Sequence, residues 1–341
     1  MFDFIPQHFY LFVFGLILLV KGGDWFVDSA SAIAKRFKLP ELLIGATVVS
    51  IGTTLPEVMT SATSAMSGHG EIAYGNAIGS IICNTSLIAA ITVAIKPGKV
   101  NKKTMIFPSC FFFGVAIFYS LVAYIAGDFS LPVGIILLVA FVAYMVINVI
   151  NMKKNPEEDE AEPAEADPAD LEATKKQPSI VLNLVWLIVG AIAIAIGADL
   201  LVDSSTIIAK DLGMSESVIG LTIVALGTSL PELVTAITAL MKGHGALSLG
   251  NVIGANIFNL VLVSGVSITL SPFSVPMTSS LFGQNASLAL EIPLMIAVMA
   301  LLTVPSMIRG KLARWQGIVL LSLYVLFIVA QFVIVEPVAA A

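Results

Sequence analysis

The chain has 341 residues, 57% of them hydrophobic and only 12% charged, with a formal net charge of −6. A soluble protein would carry about a quarter charged residues, and no clustered basic stretch points to nucleic acid, so both classes are excluded. Apolar runs long enough to cross a bilayer recur along nearly the whole length, without the short alternating segments of a transmembrane β-barrel. The composition therefore predicts an all-α polytopic membrane protein.

In chain order, the N-terminus Met1-Phe2-Asp3-Phe4 lacks the positive region of a cleaved signal peptide, so the first apolar segment is read as a retained span. Ten spans are expected, at roughly 8–33, 40–67, 71–95, 104–126, 130–151, 179–208, 215–241, 246–270, 286–305 and 315–335. Cys83 and Cys110 lie in apolar segments and are read as buried thiols that pack like small hydrophobes. The longest connection, Asn155 to Pro178, holds nine of the 23 acids between Glu157 and Glu172. It has almost no large apolar residue and is read as a solvated linker. The expected organisation is thus a first five-helix repeat over 1–151, an acidic linker over 152–178 and a second repeat over 179–341.

Basic residues set the orientation. Lys35, Arg36 and Lys38 lie in the first loop, and Lys96, Lys99, Lys102 and Lys103 in the third. The fifth holds Lys153, Lys154, Lys175 and Lys176, the seventh Lys242, and the ninth Arg309, Lys311 and Arg314, against Lys210 alone in the even loops. Positive loops stay cytoplasmic. The termini are then expected outside and the linker inside, in a multi-pass protein of the cell membrane.

A repeat organises the whole. Adding 175 to a residue number carries Asp24 and Asp28 onto Asp199 and Asp203, and Gly45 onto Gly220. It carries Gly52-Thr53-Thr54-Leu55-Pro56-Glu57 onto Gly227-Thr228-Ser229-Leu230-Pro231-Glu232, and Asn76, Gly79 and Asn84 onto Asn251, Gly254 and Asn259. Each unit has an odd number of spans, so the second enters the membrane from the opposite side, an inverted repeat. Each copy also puts a carboxylate where a span should be buried, which is costly and usually functional. The proline is expected to break or kink its helix. Paired helix breaks at matching places mark a transporter's binding site, where Glu57 and Glu232 are expected to meet.

The donors there are oxygens. Thr53, Thr54, Glu57, Thr228, Ser229 and Glu232 come from the second span of each unit, and Asn76, Ser80, Asn84, Asn251 and Asn259 from the third. Ser80 and Asn84 share a helix face. With no Cys-His cluster, hard cations are implied rather than zinc or copper. Two carboxylates with hydroxyls, amides and released carbonyls suit Ca²⁺, which takes about six to eight oxygens. Facing glutamates without a cation would repel, so the site should hold Ca²⁺, several Na⁺ or protons, one at a time. Gly75 with Gly79 and Gly250 with Gly254 have the spacing that lets helices approach closely. Asp24, Asp28, Asp199, Asp203 and Glu291 are read as interfacial or packing residues, and His69 and His244 as turn residues.

At these motifs, completed by Gly75-Asn76-Ala77-Ile78-Gly79-Ser80 and Gly250-Asn251-Val252-Ile253-Gly254-Ala255-Asn256, the sequence resembles the cation/calcium exchanger superfamily, and within it the prokaryotic sodium/calcium exchangers. The resemblance implies exchange of Na⁺ for Ca²⁺ by alternating access, with the first span of each unit sliding against a rigid core. It implies that Glu57, Glu232, Thr53 and Thr228 hold Ca²⁺. Sodium would use the glutamates with Thr54, Ser229, Ser80 and backbone oxygen near Ser50 and Ala225, while Asn84 and Asn259 line the centre. Many relatives have Ser in place of Ala255 and Asn in place of Ile81, which puts one sodium site and the stoichiometry in question. Asn at both 84 and 259 resembles potassium-independent members.

A calcium/proton antiporter is the alternative, since buried glutamates can carry protons; a passive channel and an intramembrane hydrolase are rivals from other classes. The leading expectation is a non-enzymatic antiporter with no cofactor. Its partners are the transported calcium and sodium ions and the lipid bilayer, and the reading is compatible with a monomer.

Overall fold

The computed structural model describes residues 5–37, 39–154, 179–211, 227, 229–277, 279–333 and 336–337. The structure over these residues is almost wholly helical. In chain order the helices are α1 (Ile5–Phe37), α2 (Glu41–Met66), α3 (Gly70–Ile95), α4 (Lys102–Ala126), α5 (Leu131–Lys154), α6 (Ile180–Asp211), α7 (Leu230–Met241), α8 (Gly245–Leu270), α9 (Ser287–Arg309) and α10 (Arg314–Val333). Nine of them are long and apolar enough to cross a bilayer, and α7 is the shorter exception. The expected seventh span, 215–241, lies partly outside the described residues, and the acidic linker lies wholly outside them.

The helices group into two compact units, and each draws on both halves of the sequence. One comprises Met1–Thr53 with Asn155–Asn251, the other Thr54–Lys154 with Val252–Ala341.

In the first unit α1 and α6 are repeat equivalents and pack along their length. Gly15 and Gly22 are carried by the 175-residue offset onto Gly190 and Gly197. A Cβ on Gly15 would lie 2.9 Å from the Gly197 carbonyl oxygen, and one on Gly22 would lie 2.9 Å from that of Gly190. Pairing 15 with 197 and 22 with 190 means that the helices run antiparallel, so this equivalent pair points in opposite directions. That is the direction which the inversion expected from the odd span count requires of this pair. Phe26, Val27, Ala30, Leu187, Ile194 and Ala198 fill the seam. Lys242, just past α7, pairs with Asp28 at 2.8 Å and Asp24 at 3.1 Å on α1, which gives those two acids a definite partner in place of a general interfacial role. Partial burial lowers the affinity of Lys242 for its proton, but the two carboxylates outweigh it and the pKa is raised. His244 Nδ1 lies 2.7 Å from Glu41 Oε1, so the second Gly-His-Gly turn is also tied to the start of α2.

In the second unit α5 packs on α8, and α10 on α3. A Cβ on Gly317 would meet the Ala90 carbonyl at 2.6 Å, so α10 approaches α3 to backbone contact there. The short antiparallel pair β1 (Asp128–Phe129) and β2 (Phe273–Ser274) places Phe129 between Tyr119 and Phe273. A second small sheet has the order β4 (Gln284–Asn285), β3 (Ser279–Leu281), β5 (Glu336–Pro337). Glu291, at the start of α9, accepts a hydrogen bond from Gln331 of α10 at 3.3 Å. Cys83 is buried, but Cys110 is exposed on α4. That corrects the expectation of two buried thiols. In lipid an apolar run need not face protein.

Candidate cation-binding site

The first motif copy lies on α2, and the helix does not break there. It widens to a π-helix over Gly45–Val49 and returns to an α-helix over Ser50–Met66, with Pro56 inside. Of the expected break or kink at Pro56, a break is therefore corrected, and the π-helical irregularity lies two to three turns upstream. Hydroxyls absorb part of the disturbed backbone. Thr47 Oγ1 donates to the Leu43 carbonyl at 2.7 Å, and Ser50 Oγ to the Gly45 carbonyl at 2.7 Å. Close packing explains Gly45: a side chain there would run into the Leu247 backbone of α8, and one on Gly250 into the Leu42 backbone.

The second copy does break. The α7 helix starts at Leu230, with Ser229 as its N-cap residue and Pro231 at its first turn, where proline is favoured. Glu232 falls in that first turn, where the aligned backbone dipoles favour a negative charge. Thr228 and Ala225 lie outside the described residues.

Within the first unit, four polar side chains converge. Asn251 Nδ2 donates to Thr235 Oγ1 at 2.9 Å, and Thr235 in turn donates to the Pro231 carbonyl at 2.8 Å. Thr53 Oγ1 donates to Asn251 Oδ1 at 3.3 Å, and Ser50 Oγ to the Asn251 carbonyl at 3.0 Å. Ser229 Oγ is buried and has no hydrogen-bond partner among the described residues.

Within the second unit, Glu57 and Thr54 are fully buried, as is Glu232 in the first. Asn76 Nδ2 donates to Ser61 Oγ at 2.8 Å and to the Glu57 carbonyl at 3.3 Å. Ser80 and Asn84 sit one turn apart on α3, both buried. Asn84 opens a π-helical turn, Asn84–Ala89, and its repeat equivalent Asn259 opens another, Asn259–Val263. Such turns occur frequently at functional sites. Neither amide atom of Asn84, nor Oδ1 of Asn259, has a hydrogen-bond partner among the described residues. Asn259 Nδ2 donates to the Ala255 carbonyl at 3.0 Å. Asn256 Nδ2 donates to Thr85 Oγ1 at 2.7 Å, while its Oδ1 has no hydrogen-bond partner among the described residues.

Sequence reasoning missed Ser61 and the part played by Thr235. The signal was available as a hydroxyl one turn beyond each glutamate. The repeat alignment would have paired Thr235 with Thr60, whereas the structure uses the adjacent Ser61. The two glycine pairs also differ: Gly250 makes backbone contact, but nothing among the described residues lies within 4 Å of a Cβ on Gly75 or Gly79.

Antiparallel equivalent helices and a buried carboxylate in each repeated motif define a multi-pass helical membrane protein built from inverted repeats. Comparison with known proteins agrees. The model of the family described as sodium/calcium exchanger protein matches residues 7–150 and 182–333. The chain is 32% identical over 361 residues to the sodium/calcium exchanger MaX1 of Methanosarcina acetivorans, covering 97% of this chain and 100% of that one. It is 36% identical over 317 residues to an uncharacterized membrane protein of Methanocaldococcus jannaschii, covering 93% and 95%. Among solved structures, the sodium-calcium exchanger NCX_Mj, soaked with Na⁺ and Sr²⁺, superposes with a TM-score of 0.78 at 33% identity, covering 96% of this chain and 99% of that one. The chain belongs to the sodium/calcium exchanger family.

Proposed function

We propose that the protein is a secondary antiporter that exchanges Na⁺ for Ca²⁺ by alternating access, with Glu57 and Glu232 as its acidic ligands. One observation carries the reading. Two fully buried glutamates stand in two copies of one motif, accompanied by buried polar atoms at Asn84, Asn259 and Ser229 that have no partner among the described residues. A buried amide left unbonded costs about 1–3 kcal/mol, and such groups in a folded protein call for an explanation. A hard cation supplies one for the oxygens of Asn84, Asn259 and Ser229. Among the described residues no three His, Cys, Asp or Glu side chains gather, so neutral oxygens must complete a divalent ion's shell.

Calcium would take Glu57, Glu232, Thr53 and Thr228. Sodium would take the glutamates with Thr54, Ser229, Ser80 and backbone oxygen near Ser50 and Ala225, and Asn84 and Asn259 would line the centre. Both termini lie outside the cell in this reading, and the acidic linker is cytoplasmic. No cofactor takes part, and the chain carries out no covalent chemistry.

The test is radiolabelled Ca²⁺ uptake into proteoliposomes loaded with Na⁺ or K⁺, at clamped pH and voltage, beside a set bearing only a pH gradient. Uptake driven by the Na⁺ gradient supports exchange. Uptake driven only by the pH gradient would transfer the protein to the calcium/proton class. At the same position where relatives carry a hydroxyl, Ala255→Ser is expected to alter the Na⁺ activation curve; an unchanged curve would mean that Ala255 does not limit sodium binding.

A further inference from the structure

We infer that Asn251 is a positioning residue that presents the Thr53 oxygen to the bound cation, rather than a ligand itself. The inference rests on the proposed role of Thr53. A hydroxyl has one proton and two lone-pair sites, so a threonine serves a cation well only when its proton points elsewhere. Asn251 Oδ1 gives that proton a destination, 3.3 Å from Thr53 Oγ1. The nearest backbone alternative, the Ser50 carbonyl, is 3.4 Å away.

The amide can do this only if its oxygen, not its nitrogen, faces Thr53. The surrounding bonds decide which way it points. Thr235 commits its own proton to the Pro231 carbonyl at 2.8 Å, so towards Asn251 it can only accept, and it does so from Nδ2 at 2.9 Å. That leaves Oδ1 turned to Thr53. Ser50 does not compete strongly: its proton is shared by the carbonyls of Gly45 at 2.7 Å and Asn251 at 3.0 Å, while Oδ1 is 3.5 Å away. Thr53, Asn251 and Thr235 are all buried, so water does not supply a substitute acceptor. The result is a directed relay, from Thr53 through Asn251 and Thr235 to the Pro231 carbonyl, that orients one oxygen.

The other copy shows the amide-to-hydroxyl part of it. Asn76 donates to Ser61, the residue after the equivalent of Thr235, at 2.8 Å, and Thr228, the equivalent of Thr53, lies outside the described residues.

A double-mutant cycle in proteoliposomes tests it, with the Ca²⁺ concentration for half-maximal exchange as the readout. Asn251→Ala is expected to raise that concentration about three- to tenfold, the worth of one buried hydrogen bond, with a smaller change in maximal rate. In a Thr53→Ala background the same substitution should add less than about twofold, because the group it orients is gone. Independent, multiplying effects would overturn the positioning role while leaving Thr53 a ligand. No effect of Thr53→Ala alone would remove the ligand reading and the inference with it. If Asn251→Ala does not fold, Thr235→Val enters the same cycle: it removes the acceptor that sets the amide, and its effect on Ca²⁺ should likewise vanish without the Thr53 hydroxyl.

Discussion

The two copies of the proline-glutamate motif share five of six residues but not their backbone. In the first, Gly52–Glu57 runs inside a helix that continues to Met66, with Pro56 in its interior. In the second, the helix begins at Leu230, directly before Pro231. An interior proline removes the amide that would close on the carbonyl four residues earlier and costs about 3 kcal/mol; a proline in the first turn removes an amide that has no partner anyway. The same proline forgoes a helix hydrogen bond in one copy and none in the other. The carboxylates differ correspondingly: Glu232 benefits from a helix N-terminus, and Glu57 does not.

The largest effect expected is on transport itself. Glu57→Gln and Glu232→Gln should each reduce Na⁺-driven Ca²⁺ uptake to that of empty liposomes while the protein still elutes as a folded species. Wild-type exchange by either would remove that glutamate from the site. Stability should separate the pair: only Glu232→Gln forfeits a charge at a helix start, about 0.3–1 kcal/mol, visible as a lower midpoint in thermal unfolding. Equal midpoints would break the comparison.

Next come the prolines. Pro56→Ala should stabilise α2 by up to about 3 kcal/mol yet slow exchange, because a new amide would then occupy the Gly52 carbonyl. Pro231→Ala should leave unfolding within about 0.5 kcal/mol of wild type. Similar shifts from both prolines in a denaturation series would show that the two backbones are equivalent after all.

The smallest effect is expected at Lys242, whose repeat equivalent is Ser67. Its pairing with Asp24 and Asp28 therefore exists on one side only. These groups are partly exposed, so Lys242→Met should cost about 0.2–1 kcal/mol, less at high salt. A lysine whose pKa is raised on folding contributes stability below its unfolded value and loses it as pH climbs through the folded one. The increment should thus be flat across neutral pH and fade only above the ordinary lysine range, about 10.4. A midpoint difference that changes between pH 6 and 8 would assign the effect to another group.

Much of this was legible from the sequence because it is local. Span length and apolarity are decided by the bilayer, residue by residue, and the odd number of spans per repeat dictates inversion wherever the chain packs. The two motifs, and the oxygen character of their side chains, follow from the 175-residue repeat alone. What the sequence did not disclose depends on partners remote in the chain. Ser50 and Asn251 are 201 residues apart, and nothing nearby tells Asn251 that it will take the Thr53 proton. Of the glycines with helix-contact spacing, Gly250 carries a backbone contact and Gly75 and Gly79 carry none among the described residues, while the α1–α6 seam is built on Gly15, Gly22, Gly190 and Gly197. Spacing permits approach, but only the neighbouring helix decides where it happens. The proline shows the same division. Its missing donor is fixed by covalent structure, whereas whether the helix stops there or carries on is settled by the packing that holds its two ends.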